Sequence, residues 1–293
     1  MQSKLLPGML FFLLAALPTG ILAQGQPPRP GAARGQRPAP QGRIAPPPFR
    51  LTREQLHELW AVLKAWEQRA RGIETLRADF ILWKYDLNFS PTKPAIYYGE
   101  LRYKAPDKGM YRYRENPKSQ WIEDWSCDGQ AVYRLDHAKK QLVVHPLPPQ
   151  LRGRAIAQGP LPFVLGADAQ TLLNRYYMRL VTPQERAQQE VWLEAWPKRQ
   201  QDRADFQTAT VIFRKKDFLP YAVQLVAPGG KNRDVYQFNN LKINGGFLQR
   251  LFGQETFTPS LPRGWKRVVQ PVAQPAQSAQ GVPPAAPGRF PRR

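Results

Sequence analysis

Ile96-Tyr97-Tyr98-Gly99-Glu100-Leu101-Arg102-Tyr103-Lys104 alternates apolar with polar side chains and breaks at Ala105-Pro106-Asp107-Lys108-Gly109. The alternation resumes as Met110-Tyr111-Arg112-Tyr113-Arg114, stops at Glu115-Asn116-Pro117-Lys118, and runs on as Gln120-Trp121-Ile122-Glu123-Asp124-Trp125-Ser126-Cys127. After Asp128-Gly129 come Ala131-Val132-Tyr133-Arg134-Leu135, a turn at Asp136-His137-Ala138-Lys139, and Gln141-Leu142-Val143-Val144-His145. Short runs closed by Pro, Gly, Asn and Asp predict five strands, and consecutive strands joined by tight turns predict an antiparallel meander. Period 2 assigns faces: Gly99, Leu101 and Tyr103 share one side, Tyr111 and Tyr113 oppose Arg112 and Arg114, and Tyr133 and Leu135 oppose Val132 and Arg134. One aromatic face and one basic face describe a sheet wet on one side. Asp128-Gly129 suits a type I′ turn, whose central residues both need positive φ.

Upstream, Thr52 to Ala70 reads as an amphipathic helix. Thr52 and Gln55 form a capping box, and Leu56, Leu59, Trp60, Leu63, Trp66 and Ala70 recur at three- and four-residue spacing on one face. Leu76, Ala78, Phe80 and Leu82 then alternate with polar residues before the phase shifts to Trp83, Tyr85, Leu87 and Phe89, which predicts a bulge or bend in the first long strand. Downstream, Gly159-Pro160-Leu161-Pro162-Phe163-Val164-Leu165-Gly166 is a bracketed apolar run that reads either as a lid across the concave face or as a buried loop. Asp168 caps a short helix through Asn174. Strands follow at Tyr176–Thr182, Glu190–Trp196, Thr208–Arg214, Tyr221–Ala227 and Asp234–Ile243, with a last short unit over Phe252–Val268. The fold expected is mainly β (α+β): a highly curved antiparallel sheet of ten or eleven strands forming an unclosed β-barrel, with a leading helix and a helical lid.

The two ends differ from this core. Residues 1–23 carry Lys4 and then an apolar run broken by Pro and Gly, with Ile21-Leu22-Ala23 as a cleavage site; that pattern is an export signal rather than a span of the ~20 apolar residues a membrane needs. Residues 24–50 are rich in Pro, Gly, Gln and Ala, hold Arg29, Arg34, Arg37, Arg43 and Arg50 and no acid, and read as an extended linker; residues 269–293 have the same character. Residues 51–268 form one domain. The chain's net charge is +21, and removing Lys4, the five linker arginines and three tail arginines leaves about +12 on the domain. Such a balance suits an anionic envelope polymer or a membrane surface reached through the Arg-rich arms, or simply keeps an aromatic-rich exported protein in solution. No nucleic-acid recognition module is visible.

The order of elements resembles the bacterial lipoprotein-carrier family, which includes the periplasmic Lol carrier, its outer-membrane acceptor and related lipid-binding proteins. The residues carrying the likeness are Gly99 to Pro106, Asp128-Gly129-Gln130-Ala131-Val132-Tyr133-Arg134-Leu135-Asp136, Pro162-Phe163-Val164-Leu165, and Phe257-Thr258-Pro259-Ser260-Leu261-Pro262-Arg263-Gly264-Trp265. The resemblance implies an unclosed barrel whose helical lid covers a cavity for acyl chains. The family's Lys-Arg-Pro reads Lys104-Ala105-Pro106 here, so the arginine that the resemblance implies for holding the lid closed has no counterpart at Ala105.

Catalysis is not indicated. His57, His137 and His145 show no metal-ligand spacing, and Cys127 has no companion and reads as a small buried hydrophobe. Glu123 and Asp124 point to opposite faces. No phosphate loop or nucleophile elbow occurs, and no cofactor is implied. The expected activity is binding, by a monomer, of a lipid or lipoprotein acyl chain. The expected cavity lining is Phe80, Leu82, Leu101, Tyr103, Tyr111 and Tyr113, joined by Trp125, Tyr133, Leu135, Phe163, Val164 and Leu165. The alternative is a structural or sensory envelope protein with the same fold, a filled cavity and basic arms.

Overall fold

A computed structural model describes residues 46–149, 152, 168–245 and 256–270. One sheet of twelve strands dominates. Its members are β1 (Thr75–Asp86), β2 (Ser90–Lys104), β3 (Lys108–Arg114), β4 (Glu123–Asp128), β5 (Ala131–Asp136), β6 (Gln141–Pro146), β7 (Tyr176–Leu180), β8 (Glu190–Pro197), β9 (Thr208–Arg214), β10 (Leu219–Val226), β11 (Asn232–Ile243) and β12 (Lys266–Val269). The order across the sheet is β12-β6-β5-β4-β3-β2-β1-β11-β10-β9-β8-β7. Every pairing is antiparallel except β12 on β6. β7 and β12 end the sheet and do not meet, yet Tyr111 of β3, Phe80 of β1 and Leu193 of β8 belong to one core. The sheet therefore curls around its inner face without closing, as expected.

Helix α1 (Arg53–Arg71) starts at the Thr52–Gln55 capping box, both of whose bonds form. Leu59, Leu63 and Trp66 are buried, and the Trp66 ring meets Phe213 of β9 edge-on at 4.9 Å. Leu56 and Trp60, expected on the same stripe, are 52% and 41% exposed. The apolar arc of the helix is wider than the line along which it touches the sheet, and Trp60 instead packs under the Lys64 ammonium at 5.6 Å. Glu67 is buried and accepts the backbone N–H of Ala169, tying α1 to helix α2 (Ala169–Arg175). Asp168 caps α2 through Thr171 N at 2.8 Å.

Three local readings change. β2 starts at Ser90, so the strand takes in the predicted loop Ser90–Pro94; Ser90 pairs with Asp86, and the register resumes at Ala95 opposite Lys84. β1 keeps its phase: Lys84 follows Leu82 on the inner face, and Trp83 and Tyr85 lie on the outer one. The irregularities fall elsewhere, between Arg77 and Asp79 against β11 and between Lys84 and Asp86 against β2. At the β4–β5 hairpin Gly129 has φ +88° while Asp128 is not in the left-handed region, so the turn is not type I′. Instead Asp128 Oδ1 accepts Gln130 N at 2.9 Å and Ala131 N at 3.0 Å, a side-chain substitute for a backbone turn. Its Oδ2 accepts Tyr133 Oη at 2.7 Å and Thr258 Oγ1 at 2.8 Å, which fastens the C-terminal segment to the outside of β4–β6.

At the β7 end, helix α3 (Gln200–Arg203) presents Asp202 to Arg175, and Asp205 lies beside the pair with its Oδ1 buried and unbonded. Burial, aided by the Asp202 charge and opposed by Arg175, pushes the Asp205 carboxyl up to about 6. A folded-state value above the unfolded one, about 3.9, means that folding favours the protonated form. The stability so supplied is present at pH 4 and is lost as pH rises through 6. Asp205→Asn should therefore stabilise the protein at pH 7 by about 1–2 kcal/mol, after discounting for partial exposure, and leave it unchanged at pH 4. Urea unfolding at the two pH values checks this; equal shifts at both would contradict it.

Candidate functional site

The register assembles the concave face row by row. Phe238, Phe80, Gly99, Tyr113 and Glu123 lie across β11-β1-β2-β3-β4. One row along, Ala78, Leu101, Tyr111, Trp125 and Arg134 run from β1 to β5. Tyr236, Leu82 and Tyr97 form a third row, and Asp234 and Lys84 a fourth. Phe80 is the centre. It stacks on Tyr111 at 5.3 Å and 7°, and stands edge-on to Tyr236 at 5.7 Å and to Phe238 at 6.4 Å. Beneath it Gly99 leaves the space the ring fills: a Cβ there would overlap Phe80 Cζ and Cε2. Tyr113 continues the cluster, edge-on to Tyr97 at 5.2 Å and to Tyr111 at 5.8 Å.

Polar groups enter this floor at one end. The Tyr111 and Tyr236 hydroxyls are 3.4 Å apart in a buried contact. Lys84 Nζ lies over the rings of Tyr113 (5.2 Å) and Tyr97 (5.8 Å), 3.4 Å from Tyr113 Oη and 3.9 Å from Asp234 Oδ2. Glu123 is buried and accepts Trp125 Nε1 at 2.6 Å. The Arg134 guanidinium sits 5.5 Å over Trp125, and His145 stacks against it at 6.4 Å. Burial raises the Tyr111, Tyr113 and Tyr236 phenols and the Glu123 and Asp234 carboxyls; Lys84 opposes this at both acids. Burial and the Arg134 charge lower His145, which is therefore neutral at pH 7. An aromatic floor with hydroxyls and one ammonium at its edge suits an apolar chain carrying a polar group.

Among the described residues the nucleophile and base candidates are engaged elsewhere. The Cys127 thiol is fully buried and pushed up to about 11, chiefly by burial, so it is not a thiolate. His137 faces outward, between Asp124 Oδ2 at 3.2 Å and Gln120 Nε2 at 3.3 Å, with Trp265 edge-on at 5.2 Å. Its contacts hold the C-terminal segment. No group of three His, Cys, Asp or Glu suited to a metal occurs among the described residues.

Of the residues expected to line the cavity, Phe80, Leu82, Leu101, Tyr111, Tyr113 and Trp125 share this face. Tyr103 shares it nearer the Leu76 end, with its hydroxyl 3.4 Å from Pro106 O. Tyr133 and Leu135 do not. The pairing of Ser126 with Tyr133 and of Leu135 with Leu142 puts them on the outer face, in a separate cluster with Ala131, Leu142 and Val144. Val132, opposite Cys127, is the inward residue. The expectation failed because the outer face is covered here too, so an apolar side chain did not mark the inside. Phe163, Val164 and Leu165, and with them the expected lid, lie outside the described residues. Tyr97 was missed although it shares the phase of Gly99 and Leu101. Tyr236, Phe238 and Asp234 were missed because only the long-range β1–β11 pairing brings them here.

No model of a known protein family matches the chain, and no curated protein does. Among solved structures it is similar to an uncharacterized conserved protein from Thermus thermophilus, at 11% identity and TM-score 0.39 over 73% of this chain and 99% of that one. It is also similar to a LolA superfamily protein from Nitrosomonas europaea, at 11% identity and TM-score 0.34 over 67% and 97% of the two chains. The lipoprotein LppX of Mycobacterium tuberculosis is similar at 8% identity and TM-score 0.36, over 65% and 98%.

Proposed function

We propose that the chain is a divergent member of the lipoprotein-carrier family, exported and non-catalytic, that holds an acyl chain, lipid or lipoprotein anchor against its concave face, with lipoprotein sorting as its process. The carrying observation is the floor around Phe80. Tyr97, Tyr111, Tyr113 and Tyr236 surround it, so an apolar floor carries phenol hydroxyls at its edge, as suits a chain with a polar group. Lys84, partly exposed at the edge and 3.9 Å from Asp234, places an ammonium where a ligand's negative head would lie. Export follows from the reading of residues 1–23, and no helix among the described residues is long and apolar enough to cross a membrane.

A second reading is favoured by the same rings. Phe80, Tyr111 and Tyr236 pack on one another, as in a core that fills itself, and this suits a structural or sensory envelope protein whose arms bind anionic polymer. Native mass spectrometry of the purified protein, followed by solvent extraction, separates the two. A stoichiometric acyl-chain ligand is expected. A clean apo mass that does not shift with added lipoprotein or phospholipid would overturn the binding reading in favour of the filled fold.

A further inference from the structure

The outer face of the β1–β2 hairpin is unlike the rest of the outer surface. At its tip Phe89 is 89% exposed, held there by a turn in which Asp86 Oδ1 accepts Asn88 N at 3.0 Å and Phe89 N at 3.1 Å. Behind the tip, Tyr85, Trp83 and Ile81 of β1 lie on the outer face, and Ile96 and Tyr98 beside them on β2 are 45% and 39% exposed. Ile122 extends the apolar surface at 42%. Cations are laid onto its aromatics: Arg233 stands 4.3 Å over Tyr85, while Arg112 and Arg114 both stand 4.3 Å from Trp121. The nearby acids are Asp86, bonded in the turn, Glu100, paired with Arg102 and Arg112, and Glu115, which follows Arg114 at the end of β3 nearer the tip.

We propose that this face is a docking surface for an anionic phospholipid membrane, with Phe89 entering the bilayer boundary, the Tyr85–Arg233 pair at the level of the phosphates, and Arg114 and Arg112 beyond it adding positive charge toward the leaflet. The layering favours a membrane over a protein partner. The bare apolar group is outermost; the Arg233 guanidinium, opposite Tyr85, comes roughly 10 Å behind it at ~3.3 Å per strand residue, and Arg114 and Arg112 follow further back in line with Ile81 and Asp79. Apolar side chains of surface-bound proteins enter about 5–10 Å. Tyr and Trp belong at that interface, and Arg stacked on a ring still offers donors to phosphate. The chain's charge of +21 complements an anionic leaflet. This goes beyond concave-face binding and does not depend on it.

Cys127 is the single cysteine and is fully buried, so Phe89→Cys can be labelled selectively with an environment-sensitive fluorophore in the full chain. Gln184, exposed between β7 and β8 at the opposite strand ends, serves as a reference position, Gln184→Cys. With phosphatidylglycerol-containing vesicles, position 89 should shift to the blue and brighten, position 184 should not, and phosphatidylcholine vesicles should give little response. Phe89→Ser should lower vesicle co-sedimentation roughly tenfold without changing the melting temperature, since the side chain is exposed. Bound protein whose label at 89 stays silent would overturn the proposal and assign membrane attraction to the Arg-rich segments. Equal responses at 89 and 184 would overturn it too, as unoriented adsorption. No binding to any vesicle, at low salt, would leave the face to a protein partner.

Discussion

Gly99→Ala is expected to destabilise the protein by about 2–3 kcal/mol, although alanine is the better strand residue. Propensity alone predicts the opposite sign, since glycine in a strand interior costs roughly 0.5–1 kcal/mol relative to alanine. Packing decides. The added Cβ would overlap Phe80 Cζ and Cε2 and come within 2.6 Å of Arg112 O. Arg112 cannot retreat, because β2 and β3 pair on both sides of it, Gly99 with Tyr113 and Leu101 with Tyr111. The Phe80 ring cannot tilt freely, because it stacks on Tyr111 and meets Tyr236 and Phe238 with its edges. Phe80→Leu removes the atoms in the way, so the two substitutions together should cost less than their sum, by about 1 kcal/mol or more. Urea unfolding of the four proteins measures both quantities. A neutral or stabilising Gly99→Ala, or strict additivity, would show that the concave floor has slack in it. That slack would bear on ligand binding: a floor that accepts a methyl group is not the close-packed surface described above.

Much of the fold was legible because its signals are local. The capping box at Thr52, the Asp168 cap and the breaks that end β3, β4 and β5 each need only a few residues. What alternation reports is which side chains share a face, and it does not say which face is inside. That distinction failed wherever both faces carry aromatics. The phase shift to Trp83 and Tyr85 predicts a bulge, yet β1 keeps its phase and both lie in the outer patch; Tyr133 and Leu135, expected to line the cavity, lie on the outer face in a cluster of their own. A local pattern went unused as well. Glu and Trp two apart on a strand share a face, and in Glu123/Trp125, Glu190/Trp192 and Glu194/Trp196 the indole N–H donates to the carboxylate at 2.6, 2.7 and 2.9 Å. Of the concave site, the half on β1–β4 could be read from the meander. The half on β11 could not, since Phe80 meets Phe238 only through a pairing of strands at opposite ends of the domain.

Arg175→Met is expected to be the more damaging change, costing about 3–5 kcal/mol, because it strands a carboxylate. Asp202 is buried, its side chain 4% exposed, and both its oxygens are satisfied by Arg175: Nε to Oδ2 at 3.2 Å and Nη2 to Oδ1 at 2.8 Å. The pair joins the end of α2 to α3 across the edge of the sheet. Breaking it leaves α2 held to α1 through Glu67 and Ala169, and to Lys198, which donates to Leu173 O and Arg175 O. Removing the acid as well, Arg175→Met with Asp202→Asn, should recover a large part of the loss, since the cost lies in the unpaired charge rather than in the missing attraction. The pH dependence separates two causes. Asp205, already raised to about 6, loses the Arg175 charge that opposes the rise, so more of its cost falls at neutral pH. The penalty of Arg175→Met should therefore be largest at pH 7 and shrink toward pH 4. A penalty that is the same at both pH values would assign it instead to lost packing of the Arg175 side chain, which stands 5.3 Å over Tyr176.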